Sequence, residues 1–310
     1  MSLSTLRQGG KRGLASALAD LERDPDGPST QALLDAAWRA PRAHVVGVTG
    51  PPGVGKSSLC SALVASWRKD GMTVGVIAVD PSSKASGGAL LGDRVRIVAD
   101  SADEGSFVRS MAARDRLGGL ADQTHAAMVV MRALFDRVLI ETVGVGQSET
   151  DVAGVADTVV FCVQPGSGDS LQFMKAGIVE IPHLIIVTKA DLGAAAERAK
   201  ADVTGAMSLA FSDETLWSPK VLVVSARTGA QMDKLLATLK EHERHLSIDG
   251  RLGEMRNRQS QKWVLDAIRD QYGRRALDLF SGMALDLVLT TGESPFAKLR
   301  TLTDLLEQHR

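Results

Sequence analysis

Residues 45–58 read Val-Val-Gly-Val-Thr-Gly-Pro-Pro-Gly-Val-Gly-Lys-Ser-Ser, a spacing of glycines, lysine and hydroxyls suited to holding phosphates. Gly50, Gly55, Lys56 and Ser57 fill the G-x-x-x-x-G-K-[ST] pattern. A glycine-rich turn lets successive backbone N–H groups face one anion, and the helix N-terminus that follows adds partial positive charge. The backbone of Gly50, Pro51, Pro52, Gly53, Val54, Gly55, Lys56, Ser57 and Ser58 would then cradle the phosphates. Lys56 would reach the outer phosphates, and the Ser57 hydroxyl would ligate Mg²⁺. The competing reading is a strand-to-helix turn that merely contains glycines. The flanks decide between them: an apolar β-branched run over 45–49 precedes the turn and a helical pattern over 57–69 follows it.

Further carboxylates fall at the ends of apolar runs. Asp80 closes the run 73–80 and precedes Pro81-Ser82-Ser83, which suits either Mg²⁺ and its waters or the capping of a turn. Asp93 follows Gly87-Gly88-Ala89-Leu90-Leu91-Gly92, in a Ser- and Gly-rich loop that fits either a phosphate-sensing segment or a plain surface loop. Glu141 closes the run 137–141 and leads into Thr142-Val143-Gly144. Its carboxylate could polarise a water or hold a Mg²⁺ water, and the Gly144 N–H could approach a γ-phosphate; a solvated strand end is the alternative. Catalysis would then rest on Lys56, Asp80, Asp93 and Glu141, and metal binding on Ser57, Asp80, Asp93 and Glu141.

Thr188-Lys189-Ala190-Asp191 bears on the base. A carboxylate at Asp191 can accept from both N1–H and the exocyclic amine of guanine, a donor pair that adenine lacks. The Lys189 stem can cover the purine ring. Thr188 stands where Asn is usual, keeping one hydroxyl but losing the amide fork. Ser225-Ala226-Arg227 fits a loop whose backbone N–H meets the guanine O6. The ligand implied is GTP or GDP with Mg²⁺.

The elements that must position these groups are legible from hydrophobic periodicity. Strand-like runs at 45–49, 73–80, 137–141, 158–164, 184–188 and 220–225 alternate with helical stretches. Strands this apolar are buried on both faces, which predicts an α/β fold with a doubly wound, mainly parallel sheet. Ligands of such sheets sit at the carboxyl ends of the strands, where the candidate residues lie. The chain divides into a helical N-terminal extension (1–43), a nucleotide-binding domain (44–247) and a helical C-terminal arm (248–310). In the extension, 24–28 (Asp-Pro-Asp-Gly-Pro) separates two helices. In the arm, Trp263, Val264, Ile268, Tyr272 and Leu277 form one stripe and Leu302, Leu305 and Leu306 another, fitting either a cap on the domain or a dimerisation arm.

A net charge of −1 and a single tyrosine argue against nucleic acid as a partner. No apolar run approaches a membrane span, and residues 1–10 do not read as a secretion signal, so a cytoplasmic location is expected. Cys60 and Cys162 lie in apolar runs and read as buried thiols. His242 and His245 read as a solvated helix face rather than a metal pair.

Taken together these segments resemble the MeaB/ArgK-type GTPases, the chaperones of methylmalonyl-CoA mutase. The resemblance rests on 50–58, on Ala78-Val79-Asp80-Pro81-Ser82-Ser83, on 87–93, on Glu141-Thr142-Val143-Gly144-Val145-Gly146-Gln147-Ser148-Glu149, and on Gln164-Pro165-Gly166-Ser167-Gly168-Asp169. It implies a homodimeric cytoplasmic GTPase that binds a cobalamin-dependent acyl-CoA mutase and gates its loading with adenosylcobalamin. It assigns Lys56, Ser57, Asp80, Asp93 and Glu141 to the phosphate and Mg²⁺ site, and Asp191 to guanine. The segment 170–177, Ser-Leu-Gln-Phe-Met-Lys-Ala-Gly, is more apolar than the family pattern, which also admits a different acyl-CoA mutase as partner. Metal delivery, small-molecule phosphorylation and a non-catalytic module that holds nucleotide only as a structural ligand are the remaining alternatives, although no His- or Cys-rich tract and no evident acceptor base accompany the motifs.

Overall fold

The computed structural model describes residues 2–81, 102–113, 122–142, 151–166, 181–208, 217–273, 276, 280, 287–290 and 292–308. Seven strands form one sheet: β1 (His44–Thr49), β2 (Val74–Pro81), β3 (Ser106–Ala113), β4 (Arg137–Glu141), β5 (Thr158–Val163), β6 (Leu184–Val187) and β7 (Lys220–Val223). Their order is β3-β2-β4-β1-β5-β6-β7, and every pairing is parallel. The strand β1 therefore runs in the middle, with β4 and β5 beside it. Val48 pairs with Glu141, which pairs in turn with Ala78, so β1, β4 and β2 end along one edge.

Alternation sorts the strand side chains onto two faces. Val46, Val48, Leu139, Val160 and Cys162 pack beneath α3 (Lys56–Lys69), together with Leu59, Leu63 and Trp67. Val45, Val138, Ile140 and Val159 face α4 (Asp122–Leu134). Outside α4 lie α1 (Leu3–Arg23) and α2 (Pro28–Arg39), whose Leu14, Leu18, Leu21, Leu33 and Leu34 join that same core. The expected break between them is present: α1 ends at Arg23 and Pro28 opens α2, where its missing N–H costs nothing. Further along the sheet, α5 (Ala194–Ser208) covers β5 to β7 on the α4 side, and α6 (Met232–Leu246) joins α3 on the other. The C-terminal helices α7 (Arg251–Tyr272) and α8 (Pro295–Gln308) share their own core of Val264, Ile268, Phe280, Leu289, Leu302 and Leu306.

Two features differ from the sequence expectation. The strand β3 is added, pairing along its whole length with β2 at the sheet edge. An edge strand needs no continuous apolar run, and Ser-Phe-Val-Arg-Ser-Met-Ala-Ala does not offer one. His242 is fully buried against the sheet rather than solvated. Both cysteines are free and buried, as expected, and burial pushes the Cys162 thiol up to about 12. Among the described residues no helix is long and apolar enough to cross a membrane.

Candidate functional site

The turn between β1 and α3 is shaped by its glycines. Gly50 has φ of 132°, and a Cβ there would stand 2.2 Å from the carbonyl oxygen of Cys162 on β5, so only glycine permits this approach. Gly53 and Gly55 have φ of 76° and 101° and turn the chain into α3. Gly55 is the N-cap, and no side chain caps the first turn of α3, whose amides therefore face the loop. Lys56 folds back across that loop and is buried: its Nζ donates to the Gly50 carbonyl at 2.7 Å and the Pro51 carbonyl at 3.0 Å.

One residue later, Ser57 Oγ donates to Glu141 Oε1 at 2.7 Å, joining α3 to the end of β4. Glu141 is buried, with 8% of its surface exposed, so the reading of a merely solvated strand end does not hold. Beside it, Thr142 Oγ1 donates to Thr49 Oγ1 at 2.8 Å, and the Thr142 N–H donates to the Val48 carbonyl at 3.1 Å. The ends of β1 and β4 are thus stitched together where the phosphate turn begins. A hydroxyl and a carboxylate held this close are hard oxygen donors of the kind Mg²⁺ takes when substrate phosphates complete its shell. The backbone of Asp80 lies at the end of β2 on this same edge, and its side chain lies outside the described residues, as do Asp93 and Gly144.

The second half of the site lies across the sheet edge, beyond β6 and β7. Thr188 is buried, and its hydroxyl sits 2.6 Å from the Val54 carbonyl of the phosphate turn and 3.0 Å from the Val163 carbonyl. Lys189 adopts a left-handed backbone with φ of 58°, and its Nζ donates to the Gly53 carbonyl at 3.3 Å and to the Gln164 side-chain oxygen. Asp191 stands in a short 3₁₀ turn, Ala190–Leu192. Its Oδ1 accepts from the buried Ser225 hydroxyl at 2.6 Å, and its Oδ2 accepts from Arg227 Nη2 at 2.6 Å. The Ser225 hydrogen bond, helped by Arg227, holds the Asp191 carboxyl below its usual range, so it is an acceptor at neutral pH. Ala226 lies between them in the turn after β7.

The structure therefore gathers Gly50–Ser58, Glu141, Thr188, Lys189, Asp191, Ser225 and Arg227 on the carboxyl edge of one sheet. Sequence reasoning gave Thr188 a retained hydroxyl and a lost amide fork, with no partner for the hydroxyl. It missed that the remaining hydroxyl ties the base-side loop to the phosphate turn. It also missed Thr49 and Thr142, whose only signal was a hydroxyl at each of two adjacent strand ends.

Comparison with known proteins agrees with this arrangement. The family model for the methylmalonyl-CoA mutase-associated GTPase MeaB matches residues 14–278. A putative GTPase of Pyrococcus horikoshii is 40% identical over 82% of this chain and 80% of its own. The GTPase ArgK of Escherichia coli is 33% identical over 99% of this chain and 96% of its own. A crystal structure of an LAO/AO transport system kinase superposes with a TM-score of 0.67 at 27% identity, covering 98% of this chain and 96% of that one. A phosphate turn, a buried carboxylate against its serine and an ionised aspartate on the base side, in a chain matched to this extent, place it in the MeaB family of GTPases, which hydrolyse GTP.

Proposed function

We propose that the protein binds GTP with Mg²⁺ along the carboxyl edge of the sheet and uses hydrolysis to gate the loading of adenosylcobalamin onto a cobalamin-dependent acyl-CoA mutase. The observation that supports the site most directly is the Ser57–Glu141 hydrogen bond beside the Lys56-capped turn, opposite an Asp191 held ionised. Backbone amides of the turn and the Lys56 ammonium neutralise charge on the β- and γ-phosphates. Ser57, Asp80, Asp93 and Glu141 would hold Mg²⁺ or its waters, and the ion would supply further neutralisation of the phosphate oxygens. Glu141, with the backbone at Gly144, orients the attacking water. Asp191 reads the N1–H and amine of guanine, Lys189 covers the base, and the Ser225-Ala226-Arg227 turn meets its O6.

The family's association with methylmalonyl-CoA mutase supports the choice of partner. The apolar segment 170–177, outside the described residues, favours a mutase acting on a hydroxyacyl- or branched acyl-CoA as the second reading. In this reading residues 1–43 are an extension, 44–247 the GTP-binding domain and 248–310 an arm through which two copies pair in the cytoplasm. The test has two arms. Lys56→Ala abolishes GTP hydrolysis while leaving the fold intact, and the wild-type protein co-purifies with its mutase differently under GTP and under GDP. Unchanged turnover in Lys56→Ala, measured as released phosphate, overturns the catalytic assignment. Transfer of label from radiolabelled GTP to a metabolite, in place of phosphate release, would identify a kinase. Equal capture of the mutase under both nucleotides overturns the gating role.

A further inference from the structure

Hydrolysis in the proposed site needs two strand ends held at a fixed offset. The phosphate turn leaves β1 after Thr49, and Glu141 closes β4 beside it, with Val48 and Glu141 partners in the parallel register. Phosphate is held from β1 and the attacking water from β4, so the offset of these ends sets the line of attack on the γ-phosphate. Two side-chain bonds span them, and alternation puts the two on opposite faces of the sheet. On the α3 face the Ser57 hydroxyl donates to Glu141 Oε1 at 2.7 Å. On the α4 face, one residue further along each strand, the Thr142 hydroxyl donates to Thr49 Oγ1 at 2.8 Å.

These two bonds are not equivalent. In the proposed function the Ser57 hydroxyl and the Glu141 carboxylate both turn to Mg²⁺ or its waters, so the tie on the α3 face competes with the chemistry. The tie on the α4 face uses no group that phosphate, metal or water would take. Thr49 and Thr142 are 0% and 1% exposed, so solvent does not compete for their bond. The Thr142 N–H also donates to the Val48 carbonyl at 3.1 Å, which fixes the backbone beside the hydroxyl pair. Any residue except proline could make that backbone bond, whereas the hydroxyl bond needs a donor at 142 and an acceptor at 49.

We infer that Thr142 and Thr49 are positioning residues for GTP hydrolysis: their buried hydroxyl bond fixes the Glu141 end of β4 against the start of the phosphate turn. This role rests on the reading that Glu141 orients the attacking water. Neither threonine touches the reacting atoms, and both act through the strand ends they join. A positioning role lowers turnover and spares binding, because the turn amides, Lys56 and Asp191 that hold the nucleotide lie on other elements than β4.

The experiment uses the full chain and reads kcat, KM for GTP, GDP affinity by calorimetry and melting temperature. Thr142→Val keeps the branched shape and removes the donor, and Thr142→Ser keeps the hydroxyl. Thr142→Val is expected to lower kcat about tenfold with KM and GDP affinity within about twofold, and Thr142→Ser to restore kcat to within about threefold of wild type. Thr49→Val removes the acceptor and is expected to show the same loss. The double variant Thr142→Val with Thr49→Val leaves no hydroxyl on either side and is expected to lose no more than either single variant. Thr158→Val is the control. Thr158 opens β5 at the opposite edge of the sheet, is equally buried, and lies 2.7 Å from both His44 Nε2 and His242 Nδ1. That variant is expected to lower the melting temperature and keep kcat. Glu141→Gln tests the reading underneath: if it turns over at the wild-type rate, that reading falls and the positioning role falls with it. If Glu141→Gln loses turnover while folded Thr142→Val keeps it, the positioning role alone is overturned. It is also overturned if GDP affinity falls along with kcat, if the two losses multiply in the double variant, or if Thr158→Val loses the same activity.

Discussion

Thr188 shows how a single hydroxyl can replace an amide in holding two halves of a site together. Buried and within reach of the Val54 and Val163 carbonyls, it can bind the phosphate turn without contacting the base. Thr188→Val keeps the shape and deletes only the hydroxyl. The Val54 carbonyl then loses this donor, while the Val163 carbonyl keeps the Thr188 N–H, at a cost of about 1–2 kcal/mol in stability. The proposed function puts base reading on Asp191, so the ratio of GDP to ADP affinity should stay unchanged in calorimetry while both affinities fall. Asp191→Asn should do the reverse. An amide that keeps Ser225 on its oxygen presents N–H donors to the N–H edge of guanine, and discrimination against adenine nucleotides should fall about 100-fold. Retained guanine preference in that variant would remove Asp191 from the role. The places of Glu141, Asp191 and the glycines of the phosphate turn on one sheet edge were legible because such chemistry demands particular residue types at particular chain spacings. The threonines were not, since a hydroxyl is compatible with almost any environment and its partner is chosen only when two strand ends meet.

At the scale of elements, buried strands announced themselves through unbroken apolar runs, and the helices between them through periodicity. The exceptions were elements whose environment is mixed. β3 carries Arg109, which reaches out to Glu22 of α1 at 2.7 Å, so its sequence looks like neither a buried strand nor a helix. The stretch of α6 around His242 reads as solvated because Glu241, Glu243 and Arg244 flank it in the sequence, although its own face carries Leu235, Thr238, Leu239 and Leu246. In the fold His242 Nδ1 and His44 Nε2 each lie 2.7 Å from the Thr158 hydroxyl, and His183 Nδ1 accepts the Val159 N–H at 2.9 Å. Burial lowers all three, His183 to about 4 and His242 to about 2, so the cluster is neutral at pH 7. His44 therefore makes no ion pair with Asp157 despite a 3.8 Å approach. The unfolded chain takes up protons below the ordinary histidine value of 6.5 while the folded one does not, so stability is full above that pH and declines as pH falls. Each such histidine contributes up to about 1.4 kcal/mol per pH unit to the decline. His125 belongs to the same class: buried between Trp263 and Phe296 with both ring nitrogens unpartnered, it is lowered to about 3. His125→Phe should leave neutral-pH stability equal or about 1 kcal/mol higher. It should also flatten the acid slope by one histidine's share, read from denaturant melts between about pH 7.5 and pH 5. An acid slope identical to wild type would show that His125 does not titrate on unfolding.

Across the whole molecule, the two chain-terminal regions pack on one another as well as on the sheet. Arg300 of α8 reaches Asp35 of α2 at 2.7 Å, and Trp263 and Phe296 close over His125 of α4. Such long-range packing was not legible in the sequence, because two apolar stripes state that something covers them without naming what. Arg256 joins the C-terminal part of this outer layer to the sheet, and its energetics follow from the burial of its partner. Asp157 is almost wholly enclosed; burial alone would raise its carboxyl, but the Arg256 hydrogen bonds and charge outweigh that and hold it below the usual range. Asp157 thus contributes stability above the ordinary carboxylate pKa that is lost as pH falls through its lowered value. Arg256→Met strands that carboxylate and should cost about 3–5 kcal/mol at neutral pH. The sign of the linkage then reverses: with its cation gone, burial raises the folded-state value, protonation relieves the strain, and the deficit against wild type should shrink as pH falls below about 5. Arg256→Met combined with Asp157→Asn removes the charge from both sides while an amide oxygen still accepts the Val45 N–H, and should recover most of the loss at neutral pH. Urea denaturation of the three proteins across that pH range decides the matter. Equal deficits in the single and double variants would mean that Arg256 holds α7 by packing and by its bond to Ala43, and that the buried charge pair contributes no net anchoring.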